Sequence, residues 1–386
     1  MIKILLLIDY SSEFDRKLLR GLVQYSKENG PWLFYRLPSY YSAMHGEQGI
    51  LRWAKEWKAD AIIGQWNNDT IDLQKELNIP VVLQNYHHRS VTYSNLTGDY
   101  KGTGRMAAQF FAKRMFRNFA YFGVKGVVWS DERCEGYRQE VKRIGGEFFS
   151  FESDKQEDEI RMEVSQWLQQ LPKPVALFCC DDAHALFISE TCKMTNIPIP
   201  EEIALLGVDN DELMCNISDP PISSIELEVE RGGYSIGRLI HQQIKKEHEG
   251  TFNIVINPIR IELRQSTEKH NIKDPYILEV VKYIESHYSS DLTIESLLAN
   301  IPLSRRNFEV KFKNALNTSI YQYILNCRCN HLADLLLTTD RPLADLAMEV
   351  GFTDYNNIAR IFKKFKGVDG ALITSEPGTF YLSGYI

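Results

Sequence analysis

Ile2–Glu28 reads IKILLLIDYSSEFDRKLLRGLVQYSKE, and this stretch decides how the larger part of the chain is read. An apolar run, Ile2 to Ile8, stops at Asp9-Tyr10-Ser11-Ser12-Glu13, and from Phe14 to Glu28 apolar residues recur at helical spacing. That is a buried strand, a polar loop and an amphipathic helix, the first half of a parallel strand-helix-strand unit. The run has no small-residue cleavage site and is shorter than the roughly 20 residues of a membrane span, so a strand is expected rather than a signal peptide. A cytoplasmic location, with no membrane partner, follows as an expectation.

Outward from this stretch the same grammar repeats. Ala61–Gly64 precedes Thr70–Leu77, Val81–Gln84 precedes Gly102–Met115, and Phe119–Gly123 precedes Arg133–Ile144. Gly146–Phe151 then leads to Asp158–Leu171, Ala176–Cys180 to Ala183–Thr195, and Ile203–Val208 follows. So many alternations exceed one comfortable open sheet and predict an α/β sensor of two doubly wound parallel lobes. The loops leaving the C-terminal strand ends are polar: residues 9–13, Gln65-Trp66-Asn67-Asn68-Asp69, Asp181-Asp182 and Asp209-Asn210-Asp211. Those ends are where open α/β sheets bind ligands, and a cleft between the lobes is the expected site.

Composition narrows the function classes. Hydrophobic residues make up 44% of the 386 and charged residues 25%, the balance of a folded globular chain. A formal net charge of −7 argues against a protein that coats nucleic acid along its whole length, without excluding a local basic face. The seven cysteines (Cys134, Cys179, Cys180, Cys192, Cys215, Cys327, Cys329) are odd in number and lack CxxC spacing, so reduced, mostly buried thiols are expected. His87 and His88 read as a solvent-facing pair; no metal and no cofactor are expected.

Periodicity is lost around Arg264–Asp274 (RQSTEKHNIKD), and from Pro275 onward the text is helical. The expected division is a sensor over 1–267, a linker over 268–275 and an all-helical domain over 276–386. Within the last, two segments share one pattern. Thr293–Ala299 is a short helix, Asn300–Leu303 a turn, and Ser304–Phe312 a second helix capped by Ser304. Pro342–Val350, Gly351-Phe352-Thr353 and Asp354–Lys364 repeat it, joined to the first by the helical stretch Ser319–Leu337. A helix after such a turn can enter a major groove, with its first side chains at base edges. Ser304, Arg305, Arg306, Asn307 and Lys311 on the first such helix supply amide and guanidinium readers and phosphate partners. Tyr355, Asn356, Asn357, Arg360 and Lys363 do so on the second. Phe308, Phe312, Ile358 and Phe362 face inward.

The second segment, with Ala347, Gly351-Phe352 and Phe362-Lys363-Lys364-Phe365, resembles the AraC-type (arabinose-operon) regulator domain. Double-stranded DNA as a partner is what that resemblance implies. One departure is plain: the family's signature closes on a short Gly-x-(Ser/Thr)-Pro run, whereas here Val368–Glu376 separates Gly367 from Pro377. The first 267 residues resemble the lactose-repressor and periplasmic sugar-binding family, through DYKGTGRMA (Asp99–Ala107), Arg133–Tyr137, Leu205–Asp211, Pro220–Ile225 and Arg264–Thr267. That resemblance implies that Asp99, Arg133, Asp181 and Asp209 hydrogen-bond sugar hydroxyls. Carboxylates, an Arg fork and an aromatic platform suit a sugar, and Trp66, Tyr10, Phe14 or Trp129 are the candidate platforms, with Asp15 and Arg16 as further contacts.

A sensor first and an AraC-type reader last resembles the xylose-operon regulators, which implies a pentose, D-xylose first. Activation of sugar-utilisation genes, a homodimer and contact with RNA polymerase are further expectations; another sugar, or repression, is the alternative. No GxGxxG, P-loop, HExxH or Gly-x-Ser-x-Gly is present, and the adjacent Asp181-Asp182 pair diverges before a helix, so no enzyme is expected. A transport-type binding protein shares the sensor fold but has no use for the helical domain.

Overall fold

The computed structural model describes residues 1–386 except 9–10, 38, 67–71, 249, 269–271, 273, 300, 317, 340, 353–357, 359–360 and 362–386, and the side chains of 39–44, 74, 334, 337 and 338. The chain divides into two compact units, Met1–Lys269 and His270–Ile386.

In the first unit the strand-helix alternation runs β1 (Ile2–Leu7), α1 (Glu13–Asn29), β2 (Trp32–Arg36), α2 (Ser39–Trp57, interrupted at Gly46), β3 (Ala61–Gly64), α3 (Leu73–Leu77), β4 (Val81–Leu83) and β5 (Ser94–Gly98). It continues with α4 (Tyr100–Lys113), β6 (Asn118–Val124), α5 (Val128–Ile144), β7 (Glu147–Ser153), α6 (Glu157–Gln170), β8 (Val175–Cys179), α7 (Asp182–Met194), β9 (Ile203–Val208) and α8 (Glu212–Ile217). β10 (Ser223–Leu227), α9 (Val229–Ile244), β11 (Asn253–Ile256) and β12 (Pro258–Glu262) complete it. The strands form two six-stranded sheets, in the orders β11-β5-β4-β3-β1-β2 and β12-β10-β9-β8-β6-β7. Every pairing is parallel except β10 with β12. Two doubly wound lobes are what the alternation predicts, and the strands that are apolar throughout, such as β8 and β9, are buried along their whole length.

Local chemistry sets the helix ends. Ser12 Oγ accepts from the Asp15 amide at the start of α1, Asp181 caps α7, and Gly145 closes α5 in the left-handed conformation. The two lobes also repeat one packing device. In the first, α1 crosses α9 at Gly21 and Gly233; a Cβ at Gly233 would stand 2.1 Å from the Leu18 carbonyl oxygen. In the second, α4 crosses α5 at Gly104 and Gly136, where a Cβ would stand 2.1 Å from the carbonyl oxygens of Arg133 and Lys101 respectively. Glycine is required because the backbones themselves touch.

The chain passes between lobes three times, from β5 to α4, from β10 to α9 and from β11 to β12. The Asp99 amide donates to the Ile256 carbonyl at 2.9 Å, and the Glu228 amide to the Asn257 carbonyl at 3.0 Å, so the three passages are bonded to one another. Among the described residues no helix is long and apolar enough to cross a membrane.

The second unit is helical: α10 (Pro275–His287), α11 (Ile294–Leu298), α12 (Arg305–Leu316), α13 (Ile320–Thr338) and α14 (Leu343–Glu349). Asp274 caps α10 with Pro275 in its first turn, and Thr293 caps α11. Phe308 and Phe312 are fully buried, edge to face at 6.1 Å. α13 packs on α14 through Leu325, Cys329, Leu332, Leu346 and Ala347. The turn after α14 needs Gly351: its φ is +92°, its amide donates to Met348 O at 3.0 Å, and the Phe352 amide donates to Ala347 O at 2.9 Å.

Candidate ligand cleft and DNA-reading helix

Arg133, on the second turn of α5, is 3% exposed. Its Nη1 donates to the Cys180 carbonyl, its Nη2 lies 3.7 Å from Asp209 Oδ1, and its guanidinium stands 5.5 Å from both the Tyr100 and the Trp129 ring centres. Asp209 terminates β9 with φ +98°, and Asn210 follows at +48°, a left-handed pair that non-glycine residues adopt at a cost. Neighbours hold that turn in place. Buried Asp182 accepts from the Asp211 amide at 2.8 Å and from Ser224 Oγ at 2.6 Å; Arg264 Nη2 donates to Asn210 Oδ1 at 2.7 Å. Arg133 Nε and Asp209 Oδ1 are both buried and make no hydrogen bond among the described residues. A guanidinium edge and a carboxylate oxygen, aromatic rings beside them, suit a ligand whose hydroxyls both donate and accept.

The electrostatics separate the acids. Burial pushes Asp209 up to about 6, with Arg133 only partly opposing it. Burial also drives Asp182 well above the usual carboxylate range, helped by neighbouring Asp209. For Asp181 burial acts upward too, but the charge and hydrogen bond of His184 outweigh it and hold the carboxyl below its ordinary value. A ligand hydroxyl donating to Asp209 needs the carboxylate. At pH 5 only about a tenth of a group with that pKa is ionised, so sugar affinity is expected to fall about tenfold between pH 7.5 and 5. The sign for stability is opposite: a pKa raised above its unfolded value of about 3.9 means the folded form gains from protonation, so acidification from 6 toward 4 stabilises the unliganded protein through this group. Calorimetric titration and melting curves across that range separate the two; unchanged affinity at pH 5 removes Asp209 as an ionised contact.

Contacts from the first lobe meet this site. Lys17 Nζ donates to the Asp209 carbonyl at 2.8 Å and pairs with Glu226 at 3.4 Å; Arg16 reaches Asp211 at 3.3 Å. On the other flank Arg89 forms a two-pronged bond with Glu132 at 2.6 and 2.7 Å, and the Val128 amide donates to the Tyr86 carbonyl at 2.7 Å. His87 and His88 are exposed, as expected, and His87 sets Nδ1 2.9 Å from the Gly126 carbonyl oxygen.

The sequence-based candidates therefore fall into groups. Arg133, Asp181, Asp209 and Trp129 converge. Asp99 stands on the first interlobe passage, where Oδ1 accepts from the Gly102 amide at 2.8 Å and caps α4. Trp66 is buried with Leu5, Leu73 and Leu83 on the far side of the first sheet. Asp15 is buried in α1 and Phe14 packs on the main core. Tyr10 lies outside the described residues. The sequence reading did not single out Arg89 or Lys17, since nothing local to them signals what they meet across the cleft; Tyr100 and Arg264 lie inside the quoted DYKGTG and Arg264–Thr267 motifs without being named as contacts.

In the helical unit Ser304 caps α12, its carbonyl accepting from Phe308 N at 2.9 Å. Arg306 and Asn307 are exposed, and Val310, 50% exposed, shares their face. An exposed valine beside polar readers suits contact with a thymine methyl, a signal the sequence reading passed over. Arg305 pairs with Glu295 at 2.7 Å and Glu309 at 3.1 Å, and Lys311 with Asp274 at 2.6 Å, tying α12 to the helices behind it. Tyr355, Asn356, Asn357, Arg360, Lys363 and the 367–377 departure lie outside the described residues.

Residues 108–267 match the family model of a periplasmic binding protein-like domain, and residues 297–369 that of a helix-turn-helix domain. The chain thus carries, in that order, a periplasmic binding protein-like domain and a helix-turn-helix domain. This regulator is similar to the xylose operon regulatory protein of Escherichia coli (strain K12), 23% identical over 375 residues, 94% of each chain. The protein of the same name from Haemophilus influenzae is 24% identical over 376 residues, 94% of this chain and 95% of that one. Among solved structures the regulator resembles a xylose-binding transcription activator, with TM-score 0.59, 21% identity, and 96% and 97% of the two chains covered. It also resembles the regulator CelR bound to cellobiose, with TM-score 0.57 and 18% identity over 69% of this chain and 84% of that one. It is a sugar-responsive, DNA-binding regulator.

Proposed function

We infer that this regulator is cytoplasmic, takes a pentose, D-xylose first, between the lobes of its sensor, and activates sugar-utilisation genes as a homodimer that contacts RNA polymerase. The observation that carries the sugar reading is the orphaned pair, Arg133 Nε and Asp209 Oδ1, buried beside the Tyr100 and Trp129 rings. The xylose operon regulatory proteins, similar along almost the whole chain, support the pentose. Its role is regulatory rather than catalytic on this reading, which the engagement of Asp181 in a helix cap and of Asp182 in bracing the 209–211 turn supports. Sugar closes the lobes, and closure changes how two sensors pair and so how two readers are spaced on DNA.

Calorimetry against a panel of pentoses and hexoses tests the ligand, and footprinting with and without the tightest binder tests the output. D-xylose is expected to bind best and to change operator affinity or half-site spacing; a hexose that binds more tightly, or a footprint blind to sugar, overturns the respective part. Arg306→Ala is expected to weaken specific DNA binding by about 1–3 kcal/mol with sugar affinity intact. A matching loss of sugar affinity would show the assignment of roles to be wrong.

A further inference from the structure

Cys180, Asp181 and His184 bring one sulfur, one oxygen and one nitrogen donor within 4.8 Å of one another. The fold produces the cluster: β8 ends at Cys179, Asp181 caps α7, and His184 lies one turn into that helix. His184 Nδ1 is 2.7 Å from Asp181 Oδ1. Cys180 is fully buried, whereas the side chains of Asp181 and His184 are each 21% exposed, so the group is walled on its thiol side and open on the other. Among the described residues no other three His, Cys, Asp or Glu side chains gather this way, and neither His87 nor His88 takes part.

We propose that these three side chains form a binding site for a zinc-class divalent cation, its fourth coordination position left open. Tetrahedral bonds of about 2.0–2.1 Å to nitrogen and oxygen and about 2.3 Å to sulfur set N and O roughly 3.3 Å apart and S and N roughly 3.6 Å. The 2.7 Å between His184 and Asp181 is the length of a shared proton, and a cation replaces that proton when the two side chains swing apart by a fraction of an ångström. Thiolate with imidazole selects Zn²⁺ or Co²⁺ over Mg²⁺ and Ca²⁺, which require oxygen shells. Binding expels the thiol proton and the shared imidazole proton, so affinity rises with pH. A bound cation occupies the Asp181 carboxylate that the sugar reading also uses; the site itself, and its test, do not depend on that reading.

The experiment is an anaerobic titration of the reduced full-length protein with Co²⁺ alone, followed by absorbance. One Co²⁺ per chain is expected, with a thiolate-to-cobalt charge-transfer band and the visible bands of a tetrahedral centre. Cys180→Ser is expected to remove the charge-transfer band, and His184→Gln to weaken binding at least tenfold, while Cys327→Ser changes neither. If Cys180→Ser lowers the melting temperature, the partly exposed His184→Gln decides alone. Absence of a thiolate band in the parent protein, or unchanged cobalt binding in His184→Gln, overturns the proposal.

Discussion

Arg133→Met is expected to reduce sugar affinity by two to three orders of magnitude, about 3–4 kcal/mol, the range seen when one partner of a desolvated charge pair is removed. The methionine keeps the bulk against Tyr100 and Trp129 but removes three things at once. The ligand loses the Nε donor. The Cys180 carbonyl, where β8 hands over to the cap of α7, loses its charged donor. Asp209 loses the cation that opposes the upward push of burial, so a smaller share of it is carboxylate at any given pH. Arg133→Lys separates these effects, because a lysine restores the charge without the planar fork; its loss is expected to be intermediate. Calorimetry with D-xylose reads both variants, and near-parental affinity in Arg133→Met would remove the residue from the site.

How much of this site the sequence exposes depends on the kind of signal each residue carries. Strands buried on both faces announce themselves, which is why β1, β3, β8 and β9 are legible as apolar runs. β5 is not: Ser94-Asn95-Leu96-Thr97-Gly98 is polar yet mostly buried, because its side chains bond to the strand beside it. Asn95 Nδ2 donates to Asn253 Oδ1 at 2.9 Å, and Ser94 Oγ accepts from the Phe252 amide at 3.1 Å. Hydrophobic periodicity is blind to a strand whose interior is satisfied by hydrogen bonds, and to its short partner β11, more than 150 residues downstream.

The acids show the same limit at finer grain. Asp181 and Asp182 are neighbours with one local context, a strand end running into a helix. Their roles part only because Ser224 and the Asp211 amide, from β10 and the loop after β9, arrive beside one and not the other. Asp99 is legible as the start of a helix, and the structure has its Oδ1 engaged as the cap of α4 on an interlobe passage. Lys17 and Arg89 matter because of what they meet across the cleft, information that resides in the arrangement of the two lobes rather than in any window of sequence.

Phe308→Ala is expected to abolish specific DNA binding while leaving sugar binding close to parental. The side chain is fully buried in α12, edge to face with Phe312, which in turn lies 5.7 Å from Tyr323 of α13. Truncating a buried phenylalanine costs about 3–5 kcal/mol, a large share of the roughly 5–15 kcal/mol that holds a domain folded. The loss falls on the unit that presents Arg306, Asn307 and Val310, since α12 keeps its exposed face in register only while Phe308 and Phe312 anchor the opposite one. The sensor has its own cores, built from β1, β3, β8, β9 and the helices over them, none of which draws on residues beyond 269. Urea unfolding followed by circular dichroism should accordingly split into two transitions, the earlier one moved to lower urea by the substitution and the later one unmoved. If sugar affinity falls in step with DNA binding, or a single transition shifts as a whole, the two units do not fold independently, and the division of labour between sensor and reader would have to be redrawn.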